Sequence, residues 1–262
     1  MNAEPTPAPG VTLLDGAADE MVATVVHALR RLCAGEPLCH LRAPPVLAAS
    51  VAERAGYAAS FPHLLGTVSQ GGAATDLVLT PAACYHVYPR YEGRTLDGPE
   101  ELTVVADCFR QEATTERGRL RSFRMFETVL LGTPEQCLTW RDDRLDRLTG
   151  WLESLGVRPE AGLANDPFWG RTGKLLAAAQ QADGLKWELA ADVAPDVRQA
   201  VVSVNYHKEH FGAAFGIRTA DGTPAHTACL GVGLDRLLLA LQHAHGPMPE
   251  HWPTSVSAAL TA

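Results

Sequence analysis

Across residues 19–33 the apolar positions Val22, Val25, Val26, Leu29 and Leu32 recur every three or four places, with Gly35 just beyond. That spacing predicts an amphipathic helix stopped by glycine. The next run, 40–47, reads as a short strand ended by Pro44-Pro45, because proline cannot donate to a ladder. Within 73–87, Leu77-Val78-Leu79 ahead of Pro81 predicts a strand entering a turn and helix. The most regular pattern follows: 102–112 and 122–132 are strand-like runs joined by a polar loop, 113–121, which predicts a long antiparallel hairpin. Residues 134–155 predict a helix with Leu138, Leu145, Leu148 and Leu152 on one face, and 169–183 a further helix. Strands are predicted at 186–191, 200–205 and 225–230, then a turn at Gly231-Val232-Gly233 and a helix over 234–243. Strands joined mainly by hairpins, with helices alongside, predict an α+β domain around an antiparallel sheet.

Composition narrows this. With 262 residues, 46% of them hydrophobic, one sizeable core is affordable, so a single catalytic domain over 1–262 is expected. The first fifteen residues hold Pro5, Pro7, Pro9 and Gly10 and read as a flexible leader. They carry no basic n-region, and no apolar run approaches the roughly 18 residues of a membrane span. The cytoplasm is therefore the expected location. Thirty acidic against 22 basic side chains give a net charge of −8, the wrong sign for a general nucleic-acid binder. Any anion must meet a local basic site. Six cysteines, at 33, 39, 84, 108, 137 and 229, form no CxxC pair and read by default as free buried thiols. Neither a strand-following GxGxxG nor GxxxxGK[ST] occurs, which argues against Rossmann and P-loop nucleotide binding.

The hairpin carries candidate chemistry. Residues two apart on a strand share a face, so Arg110 and Glu112 are expected to point one way, as are Phe123, Met125 and Glu127 on the second arm. The loop between adds Glu116, Arg117, Arg119 and Arg121. A guanidinium for phosphate, a carboxylate for an amino group and an aromatic plate for a base would make a nucleotide site. A solvated charged hairpin tip fits the same pattern. Near the end, Gly231-x-Gly233-x-Asp235-Arg236 puts a cation at a helix N-terminus, the unfavourable end of the dipole. Arg236 is thus expected to face an anion, either a ligand or Asp235.

Together, Phe109-Arg110-Gln111-Glu112 and Phe123-Arg124-Met125-Phe126-Glu127 resemble motif 2 of class II aminoacyl-tRNA synthetases, the seryl branch in particular. Gly231-Val232-Gly233-Leu234-Asp235-Arg236-Leu237 resembles motif 3, and Pro44-Pro45 with its strand a degenerate motif 1, the dimer element. The core is expected to begin almost at once, with no N-terminal tRNA-binding arm. In this the chain is similar, along nearly its whole length, to the amino acid:[carrier protein] ligases. Thr80-Pro81-Ala82-Ala83-Cys84, Asp166-Pro167-Phe168, Lys186-Trp187-Glu188, Ser203-x-Asn205-x-His207 and His251-Trp252-Pro253 also look like their pattern.

The resemblance implies a class II synthetase-like catalytic core, an antiparallel sheet flanked by helices. It implies activation of a small amino acid, glycine or alanine, by ATP, and transfer to the phosphopantetheine thiol of an acyl or peptidyl carrier protein. A homodimer with no tRNA or membrane partner goes with it. On that pattern Arg110 holds the α-phosphate and the substrate carboxylate, Glu112 accepts the adenine amino group, and Phe123 stacks under the base. Arg236 binds the γ-phosphate and covers the base, Arg119 (or else Arg121) assists the β- and γ-phosphates, and Ser203 and Asn205 join Arg110 in binding substrate. Mg²⁺ screens the phosphates. Zn²⁺ is implied at Cys84, Glu127 and Cys229, leaving one position for the substrate amino group. Gln199 replaces a magnesium-contacting Glu of the seryl enzymes, and Val201 and Val202 replace serines; Glu188 is the substitute considered. Arg141, Arg144 and Arg147 recur along the 134–155 helix as a candidate carrier-docking face, or, with Asp142, Asp143 and Asp146, as a salt-bridged surface. Two other functions remain open: an adenylating ligase with a tRNA or small-amine acceptor, and a catalytically silent paralogue that senses an amino acid.

Overall fold

The computed structural model describes residues 1–33, 39–112 and 116–261. The chain opens with strands β1 (Ala3–Pro5) and β2 (Thr12–Leu14), helix α1 (Gly16–Cys33), and strands β3 (Cys39–Arg42) and β4 (Val46–Ala48). Short helices α2 (Ala49–Arg54) and α3 (Tyr57–Ser60) lead to β5 (Thr67–Gln70) and β6 (Ala73–Leu79). Two 3₁₀ turns, Ala83–His86 and Tyr88–Tyr91, precede the hairpin β7 (Glu100–Phe109) and β8 (Ser122–Gly132). Next come α4 (Pro134–Ser154), β9 (Glu160–Leu163) and α5 (Gly170–Ala182). The chain closes with β10 (Lys186–Ala194), β11 (Val197–Lys208), α6 (His210–Phe215), β12 (His226–Gly233), α7 (Leu234–His245) and α8 (Thr254–Thr261).

A seven-stranded sheet, ordered β3-β7-β8-β12-β11-β10-β9, organises the molecule. Every pairing in it is antiparallel except that of the edge strand β3, which runs parallel to β7. The expected α+β architecture with an antiparallel sheet and flanking helices is what forms. The helix at 134–155 starts for a local reason: Gln136 N donates to Thr133 Oγ1 at 3.3 Å and Thr133 N to Gln136 Oε1 at 2.8 Å, a reciprocal cap ahead of Pro134.

Several local expectations change. The single strand expected over 40–47 is two, because Pro44-Pro45 lets the chain leave the large sheet; β4 joins β6 and β5 in a separate three-stranded sheet. Gly231 and Gly233 lie inside β12 rather than in a turn. A Cβ on Gly231 would come within 3.0 Å of Met125 Cε and 3.6 Å of Glu127 Cγ, so close cross-strand packing accounts for that glycine. The first fifteen residues, expected as a loose leader, form the β1–β2 hairpin. The Gly10 carbonyl accepts the amides of Arg121 at 2.7 Å and Ser122 at 3.1 Å, tying this hairpin to the tip of the long one. Cys39 is exposed, whereas the other five cysteines are buried as expected. Gly35 and loop positions 113–115 lie outside the described residues.

The sheet separates two apolar clusters. On one side it packs against α1, α4, α7 and α8 through residues such as Leu29, Leu148, Leu152, Leu237 and Val256. Strand alternation sends Ala228, Leu230 and Val232 of β12 to this side and turns Cys229 to the other. The second side is covered by short pieces, α2, α3, α6 and the 3₁₀ turns, with Tyr57, Tyr85, Tyr88 and Phe211 in its cluster. No described helix is long and apolar enough to cross a membrane.

Candidate active site

The second face of the sheet gathers the chemistry. Glu127 on β8 lies opposite Gly231 on β12, two residues from Cys229, and Cys84 reaches the same spot from the first 3₁₀ turn. The amides of Ala83 and Cys84 donate to the two Glu127 carboxylate oxygens at 2.8 and 2.9 Å, and Cys229 Sγ lies 3.4 Å from Oε2. One ligand atom from each of the three buried residues falls within 4.8 Å of the others. The hydrogen bond with Cys84, burial and the nearby Glu127 charge push the Cys229 thiol well above its ordinary value. The Cys84 thiol is lowered by its bond to Cys229, but burial and Glu127 outweigh this and raise it. The raised Cys84 and Cys229 thiols beside a carboxylate are groups whose balance a divalent cation reverses, favouring the thiolates. Two thiols and one carboxylate, with room in the set for a fourth ligand, suit a borderline-soft metal.

A cluster of guanidinium groups lies at the far end of the hairpin. Arg110 follows β7 immediately; its Nε donates to Pro81 O at 3.1 Å, and its Cζ lies 5.3 Å from the centre of the Phe123 ring. Strand alternation does not place Arg110 and Glu112, since both lie beyond β7 in a tight turn where Glu112 N donates to Arg110 O at 2.7 Å. Arg119 sits 3.0 Å from Glu116 and 3.7 Å from Glu112. Arg236 donates from Nε to Gly118 O at 2.9 Å and from Nη1 to Ala200 O at 3.0 Å. Asp235 is not its partner: that carboxylate accepts Arg124 N at 2.6 Å and the Arg124 guanidinium. Burial, then the charges of Arg119 and Arg110, lower the pKa of Arg236. Arg236 thus lies in a field of neighbouring positive charge, one that draws an anion.

β11 and β10 complete the face. Ser203 and Asn205 lie opposite Gly231 and Cys229, and Asn205 Nδ2 donates to Ser203 Oγ at 3.0 Å. On β10, Lys186 pairs in register with Asn205 and Glu188 with Ser203. Of the two residues weighed for magnesium, Glu188 is ion-paired with Lys186 at 3.2 Å, and the neutral Gln199 is buried close to Gly118. The structure also brings in groups that received no role from sequence. Asp166 binds Lys186 Nζ at 2.5 Å through Oδ1 and Gln180 Nε2 at 2.7 Å through Oδ2. Burial raises the Asp166 carboxyl, but Lys186 and Gln180 hold it below the ordinary range. Tyr57, on α3, had no motif to mark it.

The α4 arginines do not form an open basic face. Arg144 is buried and grips both oxygens of Glu101 at 2.9 and 3.1 Å, Arg147 pairs with Asp143, and Arg141 reaches Gly184 O and Asp142. The salt-bridged alternative is the one that forms. Exposed large apolar side chains lie elsewhere, among them Leu163 on β9, Trp169 at the start of α5, and Leu175 and Leu176 on it.

No family model matches the chain. A curated relative, amino acid–[acyl-carrier-protein] ligase 1 of Bradyrhizobium diazoefficiens, is 40% identical over 242 residues, 82% of this chain and 74% of its own length. Ligase 2 of that organism is 39% identical over 245 residues, covering 82% and 72%. Among solved structures, Methanopyrus kandleri seryl-tRNA synthetase in complex with tRNASec superposes with a TM-score of 0.82 at 18% identity, over 98% of this chain and 58% of that one. Seryl-tRNA synthetase from Pyrococcus horikoshii complexed with ATP gives 0.75 at 16% identity, again over 98% and 58%. At such identities these two likenesses concern the fold, that of a class II synthetase catalytic core.

Proposed function

The chain belongs to the amino acid–[acyl-carrier-protein] ligase family, and from that premise we propose that it activates a small amino acid, glycine or alanine, with ATP and loads it onto the phosphopantetheine thiol of a carrier protein. One observation supports the site assignment: β8 and β12, which carry Glu127 and Cys229 of the cysteine cluster, run to the end of the sheet where Arg110, Arg119 and Arg236 gather, Arg236 lying in the first turn of the helix that follows β12. An amino acid and a triphosphate can then meet over Arg110.

In this reading Arg110 holds the substrate carboxylate against the α-phosphate. A carboxylate oxygen attacks phosphorus, the bond to pyrophosphate breaks, and the guanidinium neutralises charge developing on the phosphoryl oxygens. Glu112 accepts from the adenine amino group, Phe123 supports the base, and Arg119 and Arg236 take the outer phosphates. For this, Arg119 must exchange its contacts with Glu116 and Glu112 for ligand oxygens. In the second step the carrier thiol sulfur attacks the acyl carbon, the bond to AMP breaks with its electron pair on phosphate, and the thiol proton passes to that phosphate or to water. Zn²⁺ fits the Cys84, Glu127 and Cys229 donors and would supply a Lewis-acid seat for a neutral amino group, selecting amino acids over hydroxy acids. Ser203 and Asn205 would border that seat. Mg²⁺ is taken to arrive with ATP, with no protein ligand assigned.

For the carrier, α5 offers exposed Leu175 and Leu176 together with exposed Arg171 and Lys174, and Trp169 at its start, a mix of apolar and basic side chains suited to an acidic helical partner. The deciding experiment is ATP–pyrophosphate exchange over a panel of amino acids, with zinc-loaded and chelator-stripped protein, alongside Arg110→Ala. Exchange that requires glycine or alanine, needs zinc and vanishes in the folded variant is expected. Silence across the panel from folded, zinc-loaded protein would favour the amino-acid-sensing alternative, and undiminished exchange by Arg110→Ala would refute the site.

A further inference from the structure

Tyr57 is 5% exposed, and among the described residues its hydroxyl has no hydrogen-bond partner. A buried hydroxyl left unpaired costs stability, about 1–3 kcal/mol by comparison with other proteins, so its persistence calls for a ligand or a water. Its surroundings identify the side of the site it serves. The ring packs edge-on to Tyr85 at 5.5 Å, and Tyr85 follows Cys84 directly in the 3₁₀ turn. The charges felt at the phenol are those of Arg110, Glu112 and Asp166. Asp166 has both oxygens occupied by Lys186 and Gln180, and Glu112 faces Arg119, so neither takes the phenol proton. Burial pushes the phenol up to about 12, keeping it a donor at neutral pH.

We propose that the Tyr57 hydroxyl is a substrate-binding group, donating to the carboxylate oxygen of the amino acid held by Arg110. This rests on the reading of the site as an adenylating centre. The ring packs on Tyr85, the chain neighbour of Cys84, and Arg110 is the foremost cation felt at the phenol, so the hydroxyl is assigned to the amino-acid end of the adenylate rather than the triphosphate. A neutral donor beside a guanidinium sharpens the grip on an anionic oxygen without adding charge to a crowded cationic site.

Tyr57→Phe removes one oxygen and keeps the ring packing against Phe61 and Tyr85. The variant is expected to raise the amino-acid KM in pyrophosphate exchange about 10–100-fold, the range for a hydrogen bond to a charged group, while the ATP KM stays within about twofold. The ligand-free variant should melt no lower than wild type, because an unpaired hydroxyl has gone, and its thermal stabilisation by a non-hydrolysable aminoacyl-sulfamoyl adenosine should shrink. An unchanged amino-acid KM and unchanged stabilisation would overturn the assignment. A rise confined to the ATP KM would move the contact to the phosphate, and a lower melting temperature would show a structural partner; each overturns it. Absence of exchange from the wild-type chain would instead refute the adenylating centre itself.

Discussion

Asp235 offers the sharpest test of how the nucleotide end is held. Its carboxylate is 6% exposed and binds both the backbone amide and the guanidinium of Arg124, itself 20% exposed, joining the start of α7 to β8 beside Phe123. Asp235→Ala leaves that guanidinium largely enclosed without a counter-charge. Removing one partner of a buried pair costs about 3–5 kcal/mol. The residual exposure of Arg124 points to the lower end, about 3 kcal/mol. At about 2–4 °C per kcal/mol for a chain of this size, that is a fall of roughly 6–12 °C in melting temperature. Asp235→Asn keeps an acceptor for the amide and should lose less. Urea and thermal unfolding of Asp235→Ala, Arg124→Met and the double variant measure the pair directly. Once the cation has gone the carboxylate matters less, so the double variant should be more stable than the two single losses sum to, by more than about 0.5 kcal/mol. A single-variant loss under about 1 kcal/mol, or strictly additive losses, would refute the assignment of Arg124 as the partner.

Three further outcomes follow from other parts of the molecule. Cys229→Ser should abolish stoichiometric zinc in metal analysis and, with it, amino-acid-dependent exchange; one zinc per folded chain in that variant would displace Cys229 from the donor set. Leu175→Asp combined with Leu176→Asp should slow carrier loading by about tenfold or more and leave pyrophosphate exchange untouched, and an unchanged loading rate would remove α5 from the interface. The His207 imidazole is pushed down to about 3, chiefly by burial and then by His210. The unfolded chain, with an ordinary value near 6.5, therefore binds a proton that the folded chain refuses between those two pH values. Its contribution to stability is fully present above about pH 6.5 and is lost as pH falls toward 3, so urea midpoints of wild type should drop more steeply between pH 7 and 5 than those of His207→Asn; parallel slopes would contradict the shift.

Pattern revealed the hairpin and the helices because their periods are local: alternation over 122–132 and the leucines of 134–155 need no distant partner. Motif residues separated by more than a hundred positions, such as Cys84 and Cys229, became neighbours through a resemblance and not through spacing. What stayed hidden depended on tertiary pairing. Nothing local says that Asp235 turns to Arg124 instead of Arg236, that Arg144 buries itself on Glu101, or that Gly231 continues a strand because Met125 crowds it. Tyr57 is the extreme case, an aromatic among alanines singled out only by a buried hydroxyl without a partner among the described residues.

The sheet's unequal covering has a dynamic consequence. One side carries α1, α4 and α7, of 18, 21 and 12 residues; around Tyr57 and Cys84 the other carries α2, α3 and α6, of four to six residues, and 3₁₀ turns of four, with α5 joined to its edge through Phe168 and Trp169. Amides in the short pieces should exchange with solvent through local openings, while those in β8, β11 and β12 wait for global unfolding. Ligand binding can therefore order the thin layer while the thick one stays as it is. Hydrogen exchange would record this as protection gained around Tyr57 and Cys84, with the helical side silent.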